Sequence, residues 1–190
     1  MTAKDIITIP NPTLRQKSRR VGHIDHDAKR LAVSMIEATL DWESSREHES
    51  AAALAAVQIG VLERVVVIRN DFEDKANVSF SIFINPEIVK TEGEPTAELE
   101  GCLSVKEVYG NVLRYPKVKI KALNLEGQPV RLTATGFLAR VFQHEIDHTN
   151  GIVFVDRIDD PTNLYHLEAN GDFTPLSAGI VELKAANHDA

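Results

Sequence analysis

The chain has 190 residues, of which 43% are hydrophobic and 26% are charged, and its formal net charge is −7. These values are typical of one soluble globular domain, alone or with a tail. The negative charge argues against DNA or an anionic membrane surface as a partner, and no apolar run approaches the roughly 18 residues that span a bilayer. The first residues lack a secretory signal pattern, so we expect a cytoplasmic protein.

The first predicted elements are an arm and a helix. Pro10 and Pro12 break the first segment, which we expect to be extended. Apolar residues recur at helical spacing from Asp27 to Trp42 and predict the first helix. The polar segment from Glu43 to Ser50 then predicts a loop.

The middle of the chain is rich in strand-forming residues. The β-branched run in Arg64–Arg69 predicts one strand, and Val78–Val89 predicts one or two more that end near Pro86. Alternating apolar residues from Val118 to Ala134, interrupted by a glycine-containing turn, predict a hairpin with one buried face.

A second helix follows, from Phe137 to His148, and Asn150-Gly151 supplies its end. The stripe expected to face the core consists of Phe137, Val141, His144 and His148. The polar side chains expected elsewhere on the helix are Arg140, Gln143 and Asp147. Strands followed by a buried helix predict an α+β fold. Antiparallel or mixed sheets would surround a central metal-binding helix, with an N-terminal helix and an extended C-terminal tail.

The two histidines of this helix favour a metal site. His144 and His148 are four residues apart, so both imidazoles lie on one helical face and can bind one divalent cation. A metal also removes the cost of burying an unpaired imidazole. Glu145 lies beside a ligand without being forced to become one, which suits a general base acting on activated water. Five-residue patterns also occur by chance, so further residues are needed to define the site.

Two other segments carry unusual residues. The only cysteine, Cys102, follows a glycine in Glu100–Ser104, a stretch too short and mixed to be core strand alone. It excludes an intrachain disulfide. Gln58 is the one polar side chain in the small apolar run that begins at Ala51. Each has an ordinary alternative, because a lone cysteine is more often a small buried hydrophobe and Gln58 could point to water.

Together the three segments resemble the peptide deformylase family. The family motifs are Leu-Ala-Ala-x-Gln, Glu-Gly-Cys-Leu-Ser and Gln-His-Glu-x-Asp-His. They occur here in the same order, at Leu54–Gln58, Glu100–Ser104 and Gln143–His148. The resemblance extends to about Ile158. We therefore expect a catalytic domain at residues 1–158 and an acidic tail at residues 159–190, packed on the domain or flanking it.

The resemblance implies that Cys102, His144 and His148 bind one divalent metal ion. Fe²⁺ is the expected native ion, with Zn²⁺, Ni²⁺ or Co²⁺ as alternatives. The donor set agrees, since a thiolate and two imidazoles suit Zn²⁺ or a softer first-row ion and leave one position open.

The activity that the resemblance implies is hydrolysis of the N-formyl group from the formylmethionine of new polypeptides, which releases formate. Glu145 would be the general base, and the Gln58 side chain and the Leu103 backbone N–H would stabilise the oxyanion. The nascent formyl-Met polypeptide is the implied partner, with the ribosome as a transient one. Some deformylases approach the ribosome with a basic C-terminal helix, whereas the tail here is acidic.

Substrate contacts follow from the same resemblance. The backbone near Ala53 and Leu54 would pair with the peptide as an added strand. An apolar pocket that includes Val141, with Arg140 near its rim, would take the methionine side chain. The residues expected to orient the ligands are Glu100, Arg114 and Asp147. For Arg114 and Asp147 an ordinary surface ion pair is the alternative.

The chain departs from the family pattern beside these motifs. Ala51 and Ala53 stand where the family has glycines, Val57 replaces a frequent proline, and Lys106-Glu107 replaces a frequent Pro-Gly. Because glycine permits positive φ and close backbone approach, we expect effects on peptide binding rather than on the ligands.

Two other functions fit parts of the pattern. A general zinc metallopeptidase would take its third ligand downstream, from His166, Glu168 or His188. A metal-sensing relative would need neither Glu145 nor Gln58.

Overall fold

The computed structural model describes residues 1–46 and 48–176. Helix α1 spans His26–Ser44 and helix α2 spans Gly136–Thr149. The strands are β1 (Ala53–Ala55), β2 (Val65–Arg69), β3 (Phe80–Glu92), β4 (Thr96–Cys102), β5 (Val105–Arg114), β6 (Lys117–Leu123), β7 (Pro129–Thr135), β8 (Leu164–Leu167) and β9 (Phe173–Pro175). None of the helices in this part of the chain is long and apolar enough to cross a membrane.

Helix α1 begins at a capped turn and runs past its predicted end. The Asp25 side chain accepts hydrogen bonds from the first backbone N–H groups of the helix. The polar Glu43 belongs to the last turn rather than to a loop, because its carboxylate pairs with the buried Arg69 at 2.5 Å. The arm before α1 also differs from the prediction, since it contains two short 3₁₀ helices, Ala3–Asp5 and Pro12–Arg15.

The larger sheet has five antiparallel strands in the order β1-β2-β3-β6-β7. Strand β2 is buried on both faces, because Val66 and Ile68 face the core around α2 while Val65 and Val67 face α1. Strand β3 does not end near Pro86 as predicted. It shifts its pairing with β6 around that residue, and such a bulge accommodates a residue without a backbone N–H. The predicted β6–β7 hairpin is confirmed.

The smaller sheet has the order β4-β5-β8-β9. The cysteine segment is not strand alone, as predicted: strand β4 ends at Cys102, and Leu103-Ser104 form the turn into β5. The segment after residue 158, predicted to be an extended tail, contributes strands β8 and β9 to this sheet, and Gly110 of β5 pairs with Leu164 of β8. The predicted boundary at residue 158 therefore lies within the chain that forms this sheet. Residues 177–190 of the predicted tail lie outside the described residues.

Helix α2 is enclosed by both sheets, and this changes which of its faces are buried. Phe137 was predicted to face the core but is 55% exposed. The polar Arg140, Gln143 and Asp147 were expected away from the core and are buried. Their polar groups find partners inside the fold: the Gln143 amide, for example, is hydrogen-bonded to the Tyr115 backbone at 2.9 and 3.0 Å. A helix surrounded on all sides buries its polar side chains with their partners, which helical periodicity alone does not reveal.

One backbone position is strained where the family has glycine. Glu107 has φ +57° and lies where β5 carries extra residues between its pairs with β4. A non-glycine side chain in this left-handed region costs roughly 1–2 kcal/mol. Glycine removes this cost, but it loses more conformational entropy on folding, which offsets part of the gain in stability.

Replacing Glu107 with glycine should therefore raise the free energy of unfolding by about 0.5–1 kcal/mol. Urea unfolding followed by circular dichroism measures the change. The neighbouring Lys106→Gly variant is the control, because Lys106 has no positive φ to relieve and should lose stability. A loss of stability in both variants would contradict the strain at Glu107.

Candidate active site

Strand β4 and helix α2 bring three potential metal ligands together. The ligand atoms of Cys102, His144 and His148 all lie within 4.8 Å of one another. Cys102 is the last residue of β4, and its Sγ lies 3.2 Å from His148 Nε2. The histidines are one helical turn apart, as the sequence predicted. Thiolate and imidazole donors this close to one another fit a divalent cation such as Zn²⁺.

The two imidazoles have opposite electrostatic surroundings. Burial lowers the pKa of His148 well below its ordinary value, and the neighbouring His144 lowers it further. Burial also acts to lower the pKa of His144, but its interactions with Cys102 and Glu100 raise it well above the usual range. The Glu100 carboxylate lies 3.2 Å from His144 Nδ1 and so orients the other ring nitrogen, Nε2, away from itself. Carboxylates in this position are common partners of metal-binding histidines.

Glu145 is a buried carboxyl group beside these ligands. Its Oε2 atom has no hydrogen-bond partner among residues 1–46 and 48–176. Burial raises its pKa to about 7, an effect that the charge of His144 opposes and that of Glu100 reinforces. A carboxylate with a pKa near neutrality and an unoccupied oxygen can accept a proton from a bound reactant.

Gln58 points its amide toward the cysteine. Its Oε1 accepts a hydrogen bond from the Ala55 backbone N–H at 2.8 Å. Its Nε2 lies 3.2 Å from Ser104 Oγ and 3.6 Å from Cys102 Sγ. The side chain is buried, so the solvent-facing alternative is wrong. The fixed amide presents an N–H donor to the cluster.

A cavity of about 210 Å³ opens beside these groups. Its apolar wall consists of Trp42, Ala52, Ala53, Leu99, Leu103, Phe137 and Val141. Gln58, His144 and Glu145 are also in the wall, so the chemical groups face the same space as the apolar surface. Leu54 is different, because its side chain packs in the core that contains α1.

Arg140 borders the cavity, but its guanidinium is used within the fold. It donates to the backbone carbonyls of Thr96, Glu98 and Val112 at 3.1, 3.1 and 2.6 Å and to Glu100 at 3.0 Å. These bonds tie α2 to both β4 and β5. Arg140 therefore lies at the cavity, but its guanidinium has little donor capacity left for a ligand.

A buried ionic network connects the ligand-bearing elements. Arg114 is 3% exposed and pairs with Glu100 at 3.0 Å and with Asp147 at 2.5 Å. Arg157 adds a second cation to Asp147 at 2.6 Å. Burial acts to raise the pKa of Glu100, but His144 and Arg114 overcome it and lower the pKa to about 2. The surface ion-pair alternative for Arg114 and Asp147 is wrong.

Sequence reasoning missed several residues of this site. Arg157 lies ten residues beyond Asp147, outside every motif, and nothing in the sequence signals their contact. Glu49 and Tyr109 also line the cavity from two segments that carry no motif. The downstream ligands of a metallopeptidase are not in the cluster within the described range: His166 lies on β8, Glu168 follows it, and His188 is outside that range.

Replacing Arg114 with methionine should lower the free energy of unfolding by about 3–5 kcal/mol, because two buried carboxylates lose their shared cation. Arg157→Met is the matched control. Arg157 binds the same Asp147 from a side chain that is 45% exposed, so its loss should cost at most about 1 kcal/mol. Urea unfolding of both variants gives the two values. Equal losses of stability in the two variants would contradict the prediction that Arg114 stabilises the network more than Arg157 does.

Comparisons with known proteins agree with this site. Residues 3–163 match the family model described as polypeptide deformylase. A peptide deformylase from Thermomicrobium roseum is 42% identical over 181 residues, covering 94% of this chain and 98% of the relative. Another from Desulforudis audaxviator is 41% identical over 157 residues, covering 83% and 94%.

Solved structures give the same result. The structure of a peptide deformylase from Synechococcus elongatus in complex with actinonin has a TM-score of 0.74 and 34% identity, covering 82% of this chain and 80% of that one. The structure of a peptide deformylase from Thermotoga maritima has a TM-score of 0.71 and 32% identity, covering 82% and 97%. With its α+β fold and its cluster of cysteine and two histidines, the chain belongs to the polypeptide deformylase family, whose members are metal-dependent hydrolases.

Proposed function

We propose that this chain removes the N-formyl group from the formylmethionine of nascent polypeptides at a metal held by Cys102, His144 and His148. The observation that carries the proposal is the convergence of these ligands, Glu145 and an apolar cavity in one place. We propose Fe²⁺ as the native ion, with Zn²⁺, Ni²⁺ or Co²⁺ as substitutes, because thiolate and imidazole donors accept all of them.

The protein groups have separate roles in this hydrolysis. A divalent cation held by Cys102, His144 and His148 would supply Lewis acidity, which would acidify water and polarise the formyl carbonyl. Glu145 takes the proton from the attacking water and returns it to the leaving amine, for which a pKa of about 7 is well suited. The Gln58 amide and the Leu103 backbone N–H are the donors for the oxyanion. Removing one such donor typically costs about 10²–10³ in kcat.

The peptide would bind as an added strand on β1. This strand is at the edge of the five-stranded sheet, so one of its sides is open. The Arg69 N–H donates to the Ala52 carbonyl, so these two residues form a hydrogen-bonded pair at the start of the β1–β2 ladder. Hydrogen-bonded and non-hydrogen-bonded pairs alternate along an antiparallel ladder. The backbone of Leu54 is therefore bonded to β2, whereas the backbone N–H and C=O of Ala53 point toward the open edge. We therefore assign the main-chain contact to Ala53, with Val141 in the pocket for the methionine side chain.

The alanines in place of glycines are compatible with this role. Neither Ala51 nor Ala53 has a positive φ, so this backbone does not require glycine. The Ala51 N–H donates to Glu43 at 3.2 Å, which holds the start of the segment against α1. We expect the alanines to stiffen the binding strand without distorting it.

The remaining assignments follow from the substrate. Because the proposed substrate is a nascent chain, we propose that the enzyme is cytoplasmic and that the ribosome is a transient partner. We assign the catalytic unit to residues 1–158 and propose that the following segment supports it through β8 and β9.

Glu145→Gln should keep the metal and lose about 10²–10⁴ in kcat, because the amide cannot accept the proton from water. Formate release from formyl-Met-Ala-Ser and metal analysis of the same sample measure both properties. Glu98→Gln is the control, since Glu98 is an exposed carboxylate on β4 that should leave turnover unchanged. A Glu145→Gln variant with normal kcat would refute the base assignment.

Cys102→Ser should lose most of its metal after anaerobic purification, because a hydroxyl is a much poorer ligand than a thiolate. His166→Asn should keep it, since His166 is not part of the cluster. Elemental analysis by mass spectrometry measures the metal per chain. Loss of metal in His166→Asn alone would instead favour the ligand set of a metallopeptidase.

A further inference from the structure

A hydrogen bond joins two residues that line the active-site cavity. Glu49 lies in the segment after α1, Tyr109 lies on β5, and both line the cavity. The Tyr109 hydroxyl donates to Glu49 Oε2 at 2.7 Å, although the two residues are 60 positions apart in the chain. Burial and the Glu49 carboxylate both raise the pKa of Tyr109, so the hydroxyl keeps its proton over the whole neutral range.

Glu49 is held on its own side of the cavity as well. Its Oε1 atom pairs with Arg46 Nε at 3.1 Å, and its side chain is only 12% exposed. The Arg46 guanidinium in turn lies 4.0 Å from the centre of the Trp42 ring. The Glu49 backbone carbonyl accepts a hydrogen bond from Lys75 Nζ at 3.0 Å. One carboxylate oxygen is thus paired with Arg46, just after α1, and the other with Tyr109.

Tyr109 is fixed by packing against β4, the strand that ends at Cys102. A Cβ atom on Gly101 would lie 2.4 Å from the tyrosine ring, so the ring rests directly on the residue before Cys102. Its other neighbour is Phe173 of β9, at 5.0 Å between ring centres in an edge-to-face arrangement. The hydroxyl is therefore presented to Glu49 from a rigid base, at little cost in side-chain entropy.

We infer that Tyr109 is a positioning residue for the peptide: through its hydrogen bond to Glu49, it fixes the segment Ser50–Ala53 against which the substrate pairs. The inference rests on the proposed function. Glu49 leads directly into this segment, and Ala53 presents the open edge of β1. Without the bond the end of the segment gains freedom that peptide binding must remove. Tyr109 does not belong to the catalytic groups, so turnover of the bound peptide is unaffected.

The test is the Tyr109→Phe variant with formyl-Met-Ala-Ser as substrate and metal-loaded enzyme. We expect KM to rise about three- to tenfold, the value of one hydrogen bond, while kcat stays within about twofold. Tyr165→Phe is the matched control. Tyr165 pairs directly with Tyr109 in the neighbouring strand, and its hydroxyl interacts with Asn111 rather than with the cavity, so KM should not change.

A double-mutant cycle separates positioning from a general loss of packing. Glu49→Ala should raise KM at least as much as Tyr109→Phe, and the double variant should be no worse than Glu49→Ala alone. Because Glu49 lies in a surface segment, this variant keeps the test available if Tyr109→Phe folds poorly. An unchanged KM in Tyr109→Phe, independent effects in the double variant, or a fall in kcat alone would overturn the inference. A wild-type enzyme that releases no formate would instead refute the proposed function.

Discussion

The structure depends on how Arg114 neutralises two carboxylates inside the protein. Its guanidinium lies between Glu100 of β4 and Asp147 of α2, so one side chain joins both ligand-bearing elements. Burying ions is costly, and a pair of this kind is retained more readily for the geometry that it enforces than for its net stability. Here that geometry is the approach of Cys102 to the two histidines.

Glu100 links this network to the chemistry. It accepts hydrogen bonds from Arg114 and Arg140 and also contacts His144 Nδ1. The same carboxylate that allows a charged helix to be buried therefore orients a ligand of the proposed metal. The buried ionic network consequently belongs both to the core and to the candidate active site, and a change to it would affect both. Two of the groups proposed to act on substrate, by contrast, come from an element outside the network: Gln58 and Ala53 belong to the segment around β1.

Local sequence patterns predicted much of the fold for physical reasons that operate within a few residues. The spacing of His144 and His148 placed both on one helical face because α-helical geometry does not depend on the rest of the chain. The alternation in β6 and β7 predicted the hairpin for the same reason. The errors occur where the tertiary structure overrides local preference: Glu43 stays helical and pairs with Arg69, and Phe137, in the first turn of α2, lines the open cavity while Val141 of the same stripe is buried.

The sequence by itself determined the family and the candidate ligands and base, since these reside in three short motifs whose order is independent of folding. Only the tertiary structure decided the partners of the buried charges and the shape of the cavity. Arg157 at Asp147, and Glu49 at Tyr109, are contacts between segments that have no common pattern. The physical reason is that periodicity is set by neighbours along the chain, whereas burial and charge pairing are set by neighbours in space.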